Sequence, residues 1–132
     1  MPALCLRPHF LDGLWHLARE NEEYAKVLII LGRSSDATRH LERAIALYRD
    51  VRTQEPDAMS DQRALAVGLD ILGTYVTEHG EWRRGRSLIE ESLAIAERAA
   101  LSDSASVRTQ KELSTIRSDL AKATERFSAL RP

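Results

Sequence analysis

Shifting the chain over itself by 48 positions brings like residues together along two helical stretches, and this internal period restricts the possible folds more than any other feature of the sequence. Leu17 meets Leu65, Ala18 meets Ala66, Tyr24 meets Leu72, Ala25 meets Gly73, Leu28 meets Val76 and Gly32 meets Gly80. The stretch that follows aligns as well, Ala37 with Gly85, Leu41 with Ile89, Ala44 with Ser92 and Ile45 with Leu93. A second step of 48 sets Leu113 under Leu65, Leu120 under Leu72 and Ala121 under Gly73, so the last segment reads as the first half of a third unit.

The repeating element is helical. Prolines fall only at Pro2, Pro8, Pro56 and Pro132, which leaves two long blocks free of helix breakers. Apolar residues at Phe10/Leu11, Leu14, Leu17/Ala18, Tyr24/Ala25, Leu28 and Leu31 recur every three to four residues and continue through Asn21, predicting one helix over about 9–31. Gly32 ends it, and Ser34 or Ser35 is expected to cap a second helix carrying Ala37, Leu41, Ala44/Ile45, Tyr48 and Val51. Beyond Pro56, with Asp57 or Ser60 as the expected cap, a third stripe runs through Leu65, Leu69, Leu72 and Tyr75/Val76 to Gly80. Leu88/Ile89, Ser92/Leu93 and Ile95/Ala96 mark a fourth helix, and Val107, Leu113, Ile116, Leu120 and Phe127 a fifth. No β-type alternation interrupts the series.

The expected fold class is therefore all-α: an α-solenoid of antiparallel helical hairpins, about five helices, in two and a half repeats. Residues 1–8 form an N-terminal extension and 9–132 a single domain, with units at about 9–55 and 57–101 and a capping helix at 103–128. Glycine at each hairpin turn supplies left-handed backbone angles without a Cβ penalty, as expected at Gly32 and Gly80. Small residues are needed where the two helices of a hairpin approach, which assigns Ala25 and Gly73 to the first helices and Ala37 and Gly85 to the second.

These residues resemble the tetratricopeptide repeat. In the second unit Leu72-Gly73 stand as the L-G pair, Gly80 as the turn, Trp82 as the aromatic after it, and Gly85, Ile89 and Ser92 as the small, bulky and small positions. The first unit matches more loosely through Tyr24-Ala25, Gly32, Ala37, Leu41 and Ala44. The period exceeds the family's usual one, so the likeness is to the long-helix variety of kinesin-light-chain-type repeats and bacterial regulators. The unit-end proline is missing, and Val76 stands where tyrosine is common.

Composition narrows function further. Of 132 residues, 43 % are hydrophobic, enough for a core, while 30 % charged residues with a net charge of −1 leave no basic footprint for nucleic acid. The single Cys5 excludes an internal disulfide and, with no signal-like N-terminus, points to the cytoplasm. The longest apolar run, Val27 to Leu31, is too short to span a membrane. His9, His16, His40 and His79 are scattered, no nucleophile motif or phosphate loop is present, and the basic run at 83–86 has Glu90 and Glu91 as helical neighbours. No metal, cofactor or enzymatic activity is expected.

The run Val27–Leu31 points around the whole helix at 100° steps, so a one-sided core cannot bury all of it. In the family that these repeats resemble, the first helix of each unit lines the inner surface of the superhelix. The resemblance thus implies a partner-binding concave face of Lys26, Ile29 and Ile30 from the first unit and Asp70, Thr74, Thr77 and Glu78 from the second. The family's carboxylate-binding set is not reproduced. The expected function is a non-catalytic protein–protein interaction module that holds a peptide or helix of another protein. Self-association as a homodimer through the N-terminal hairpin is the alternative, followed by a small-molecule sensor near Trp15, Tyr24 or Trp82.

Overall fold

The computed structural model of the chain describes residues 9–56 and 58–130. The expected N-terminal extension with Cys5, the Asp57 cap and the Phe127 side chain lie outside that description. Five α-helices, and no strand, occur among the described residues: α1 (His9–Ile30), α2 (Ser34–Gln54), α3 (Met59–Glu78), α4 (Trp82–Ser102) and α5 (Val107–Leu130). The chain divides into two compact units, Met1–Asp61 with α1 and α2, and Gln62–Pro132 with most of α3, α4 and α5.

The period of 48 is written into the backbone. Gly32 has φ 75° and Gly80 φ 96°. At the first turn the N–H of Gly32 donates to the Ile29 carbonyl at 3.1 Å and that of Arg33 to Leu28 at 2.9 Å. At the second, Gly80 donates to Thr77 at 3.2 Å and Glu81 to Val76 at 2.8 Å. Both are paired bonds of a Schellman ending, which satisfies the last carbonyls of a helix through a left-handed residue. The exits of α2 and α4 match in the same way: Glu55 donates to Val51 at 2.9 Å and Asp103 to Ala99 at 3.0 Å, followed by Ala58 to Glu55 and Ser106 to Asp103.

The serines expected to cap α2 and α3 do not stand at the cap positions. α2 and α4 begin after Arg33 and Glu81, neither of which makes a side-chain cap bond, and Ser34, Ser35 and Ser60 lie inside their helices. The reason is the tightness of the turn: the residue after the glycine is committed to the preceding helix through its own N–H, leaving no spacer in which a serine could precede the helix. Asp36 in the first turn of α2 serves instead, binding Arg33 at 2.6 Å and Arg39 at 3.0 Å while its charge complements the helix dipole.

In the first unit the three-residue turn makes α1 and α2 antiparallel, and Leu11, Ala18, Ala25 and Leu28 are buried along with Ala37, Leu41, Ala44, Tyr48 and Val51. The α1 stripe turns out to be two adjacent stripes. Phe10, Leu17, Tyr24 and Leu31, expected on the core side, are 60 %, 37 %, 50 % and 64 % exposed. They recur every seven residues, one position round from the buried set, and a single partner helix covers only one of two such neighbouring rows. Val107, also expected in a core stripe, is exposed.

In the second unit α3 and α4 meet at the two small positions. A Cβ on Gly73 would stand 2.8 Å from the Gly85 carbonyl oxygen and 2.6 Å from Ile89 Cγ1, and one on Gly85 would collide with Thr77 and the Gly73 carbonyl. Ser92 fixes the same crossing by donating to the Ala66 carbonyl at 2.6 Å. α5 packs on α4, burying Leu113, Ile116 and Ala123. It is also clamped to α3 where Arg63 reaches Glu112 through two bonds, at 2.8 and 3.1 Å.

Two glycine substitutions therefore separate in sign. Gly85→Ala should destabilise the protein by about 1–3 kcal/mol in urea unfolding, because the new methyl meets the Gly73 carbonyl as well as the Thr77 side chain. Gly13→Ala, in α1 with open space around the new methyl, should stabilise by roughly 0.5–1 kcal/mol. Equal effects would contradict the close crossing.

Candidate partner-binding site

Helical geometry sorts α3 of the second unit into two faces. Ala66, Gly73 and Thr77 turn to α4, as their bonds and contacts show. Val67, Asp70, Ile71, Thr74 and Glu78 fall on the other side of the helix axis and line two cavities shared with α5. The larger, about 400 Å3, is walled by Val67, Asp70 and Ile71 from α3 and by Arg108, Lys111, Glu112, Thr115 and Ile116 from α5. A smaller one of about 130 Å3 lies among Thr74, Thr77 and Glu78 of α3, Ile89 of α4, and Asp119, Lys122, Ala123 and Arg126 of α5.

The chemistry of this trough centres on one carboxyl. Asp70 is only 8 % exposed, and its Oδ1 is buried without a protein hydrogen-bond partner. Thr74, one turn further, buries its Oγ1 in the same unpartnered state. Burial, then the hydrogen bond and negative charge of Asp119 on α5, push the Asp70 carboxyl from an ordinary 3.8 up to about 8.

In the first unit the buried polar groups are satisfied internally. Asn21 donates from Nδ2 to the Leu17 carbonyl at 2.9 Å, so its Oδ1 accepts from His40 Nδ1 at 2.8 Å, which fixes the imidazole proton on that nitrogen. The Tyr24 ring stands edge-on to His40 at 4.7 Å. Glu22 is buried, takes the Tyr48 hydroxyl at 3.4 Å and holds Lys26 Nζ at 3.4 Å. Burial raises the Glu22 carboxyl, with Lys26 pulling the other way. For Lys26, burial lowers the ammonium, but Glu23 and Glu22 together outweigh it and leave it raised. Burial, then the Glu22 charge, raises the Tyr48 phenol.

The seven residues expected at a concave face thus have different surroundings. Asp70, Thr74, Thr77 and Glu78 come together along the α3–α5 trough, although the Thr77 hydroxyl is already engaged by the Gly73 carbonyl at 2.7 Å. In the first unit Lys26 is occupied by Glu22 and Glu23, Ile29 is half-buried and Ile30 is 83 % exposed. Of the Val27–Leu31 run only Leu28 is fully buried.

Sequence reasoning missed Glu22 and Asp119. A signal for the first was present, because the shift of 48 places Glu22 on Asp70, the same position in successive units. Asp119 sits among the polar residues of α5 and only the packing brings it to Asp70.

Other features look structural. Arg86 pairs with Glu90 at 4.0 Å, Arg84 with Glu81 at 3.7 Å, and Arg83 lies over the Trp82 ring at 4.8 Å, so the basic run at 83–86 is locally compensated. His79 Nδ1 donates to the Tyr75 carbonyl at 2.8 Å, and Trp15 is flanked by His16 and Arg19. Among the described residues no group of three or more His, Cys, Asp or Glu could hold a metal ion, and no helix is long and apolar enough to cross a membrane. Neither a protein-family model, nor a curated protein, nor a solved structure matches this chain.

The raised Asp70 carboxyl has a direct consequence for stability. The folded protein retains a proton near neutrality that the unfolded chain has released, so the contribution of this group is complete below pH 4 and is lost as the pH rises through about 8. Asp70→Asn should abolish that decline: its melting temperature should exceed that of the unaltered protein at pH 8, and the two should converge near pH 4. Parallel melting profiles across this range would contradict the buried, uncompensated state of Asp70.

Proposed function

We propose that this chain is a tetratricopeptide-like α-solenoid of the long-helix variety, a non-catalytic cytoplasmic module whose hairpins hold a peptide or helix of another protein. The single observation that carries the reading is the open trough of the second unit, where α3 turns Asp70, Thr74 and Glu78 toward cavities shared with α5. The apolar walls of the larger cavity, Val67, Ile71 and Ile116, suit a side chain from a docked segment. The repetition of the hairpin turns at an interval of 48 supports the repeat assignment. In this reading Lys26, Ile29 and Ile30 form the corresponding surface of the first unit. No cofactor, nucleic acid or membrane takes part.

The test uses peptides selected from a display library on the purified protein. Thr74→Arg and Glu78→Arg, which fill and recharge the trough from a half-buried and an exposed position, should weaken the selected peptides at least about tenfold, equivalent to about 1.4 kcal/mol, with helicity unchanged. Unaltered affinity in both variants would remove the trough as the binding surface.

A second reading is favoured by one specific observation. Phe10, Leu17, Tyr24 and Leu31, with Val27, form an exposed row on α1 at the spacing of a helix–helix seam. Two repeat steps on from Leu17 and Val27, Leu113 and Ala123 of α5 are buried, so these two positions of the row are covered in the last half-unit and open in the first. A homodimer through α1 would cover it. Light scattering coupled to gel filtration should then give twice the chain mass, reverting to a monomer in Leu17→Glu/Tyr24→Glu; a wild-type monomer at the highest soluble concentration contradicts this second reading.

A further inference from the structure

Arg108, Lys111 and Thr115 follow one another at helical spacing on α5, so they form one row, and all three line the cavity of about 400 Å3. Glu112, half-buried, and Ile116, buried, make the next row round the helix. Across the cavity α3 contributes Val67 and Ile71, both half-buried, and Asp70. One wall is thus apolar and the other basic.

The charges on this lining do not cancel. Asp70, pushed up to about 8 by burial and by Asp119, keeps its proton at neutral pH and is only 8 % exposed. Glu112 is the other acid, and both of its oxygens already accept from Arg63, at 2.8 and 3.1 Å. Arg108 lies 3.7 Å from Glu112, beyond hydrogen-bond reach, and is largely exposed. Lys111 is exposed, and its ammonium has no ion-pair partner among the described residues. Thr115 brings no charge and gives its hydroxyl to the Lys111 carbonyl at 3.0 Å. By contrast Lys26 is held by Glu22 and Glu23, and Arg117 by Glu97 at 3.6 Å. The smaller cavity is balanced as well, because Lys122 and Arg126 share its lining with Glu78 and Asp119. Surplus positive charge belongs to the larger cavity.

We infer that the larger cavity takes an apolar side chain of the partner with an acidic residue beside it: the apolar group rests on Val67 and Ile71, and the aspartate or glutamate carboxylate lies against Arg108 and Lys111. This deepens the peptide-binding reading by naming the partner as an acidic amphipathic segment, and it rests on the trough being the recognition surface. The two partner residues must point the same way, which sets them at i and i+2 in an extended segment or at i and i+3 or i+4 in a helix. Because both cations are exposed, they supply selectivity and salt dependence more than affinity.

The experiment needs no partner. Hexanoate, a carboxylate on an apolar stem, is titrated into the intact protein at neutral pH and low salt, with 1-hexanol and n-hexylamine as its neutral and cationic counterparts, following the methyl resonances of Val67, Ile71 and Ile116. Saturable shifts at these methyls are expected, with hexanoate preferred over hexanol by at least about threefold, hexylamine weakest, and the margin fading in about 1 M salt. Lys111→Glu with Arg108→Gln, both at exposed positions, should reverse the order of the two charged ligands, and Lys111→Arg should preserve it. Equal binding of the three, preference for the amine, no shift at these methyls, or a carboxylate preference that survives the double substitution would overturn the inference. Display-selected peptides keep this separate from the functional reading. Binders that lose affinity in Thr74→Arg yet carry no acid beside an apolar residue remove the acid preference alone, whereas binders indifferent to the trough variants remove the functional reading and leave the hexanoate result standing.

Discussion

The approach of α3 to α4 at Gly73 and Gly85 is the constraint on which the second unit depends. Backbone meets backbone there, with no room for a Cβ on either side. That closeness fixes the rotation of α3 about its axis: Ala66, Gly73 and Thr77 must face α4, so Val67, Asp70, Ile71 and Thr74 are turned away from it and toward α5. α5, held to α3 by the Arg63–Glu112 clamp and to α4 by its own apolar face, then frames the cavities without filling them. The first unit has alanines at the matching positions, Ala25 and Ala37, both fully buried, and ends its first helix in the same turn.

The two units differ at one repeated position, Glu22 and Asp70. Glu22 is buried beside a phenol and an ammonium from its own unit, and the polar pair Asn21–His40 next to it is likewise complete. Asp70 has another acid for company and an open cavity in front of it. A buried carboxyl next to a second carboxyl is held at a cost, and the raised Asp70 titration is the expression of that cost.

Much of this was legible before any coordinates. The helix ends, the turn glycines and the crossing points at Gly73 and Gly85 all follow from aligning the chain with itself, because backbone geometry demands particular residues at those places. Less was legible where several residues satisfy the same pattern. Phe10, Leu17, Tyr24 and Leu31 are as apolar as the buried Leu11, Ala18, Ala25 and Leu28 beside them, and only the number of neighbouring helices decides which row is covered. The capping serines failed for a similar reason: the short turn leaves no position for them, and a sequence does not state that spacing. At the site, Asp70, Thr74 and Glu78 were reached through the repeat register, whereas Asp119 is a surface-like residue until α5 docks.

In the function proposed, recognition takes place between α3 and α5 of the second unit. Methyl-selective NMR on the intact protein, with isoleucine labelled and a selected peptide added, tests it most directly, because isoleucines mark each surface separately. Ile71 and Ile116, on the walls of the larger cavity, should shift or broaden as the peptide saturates, and Ile45, buried in the first unit, should not. Perturbation centred on Ile29 and Ile30 with Ile71 and Ile116 unmoved would contradict it and place recognition on the exposed end of α1.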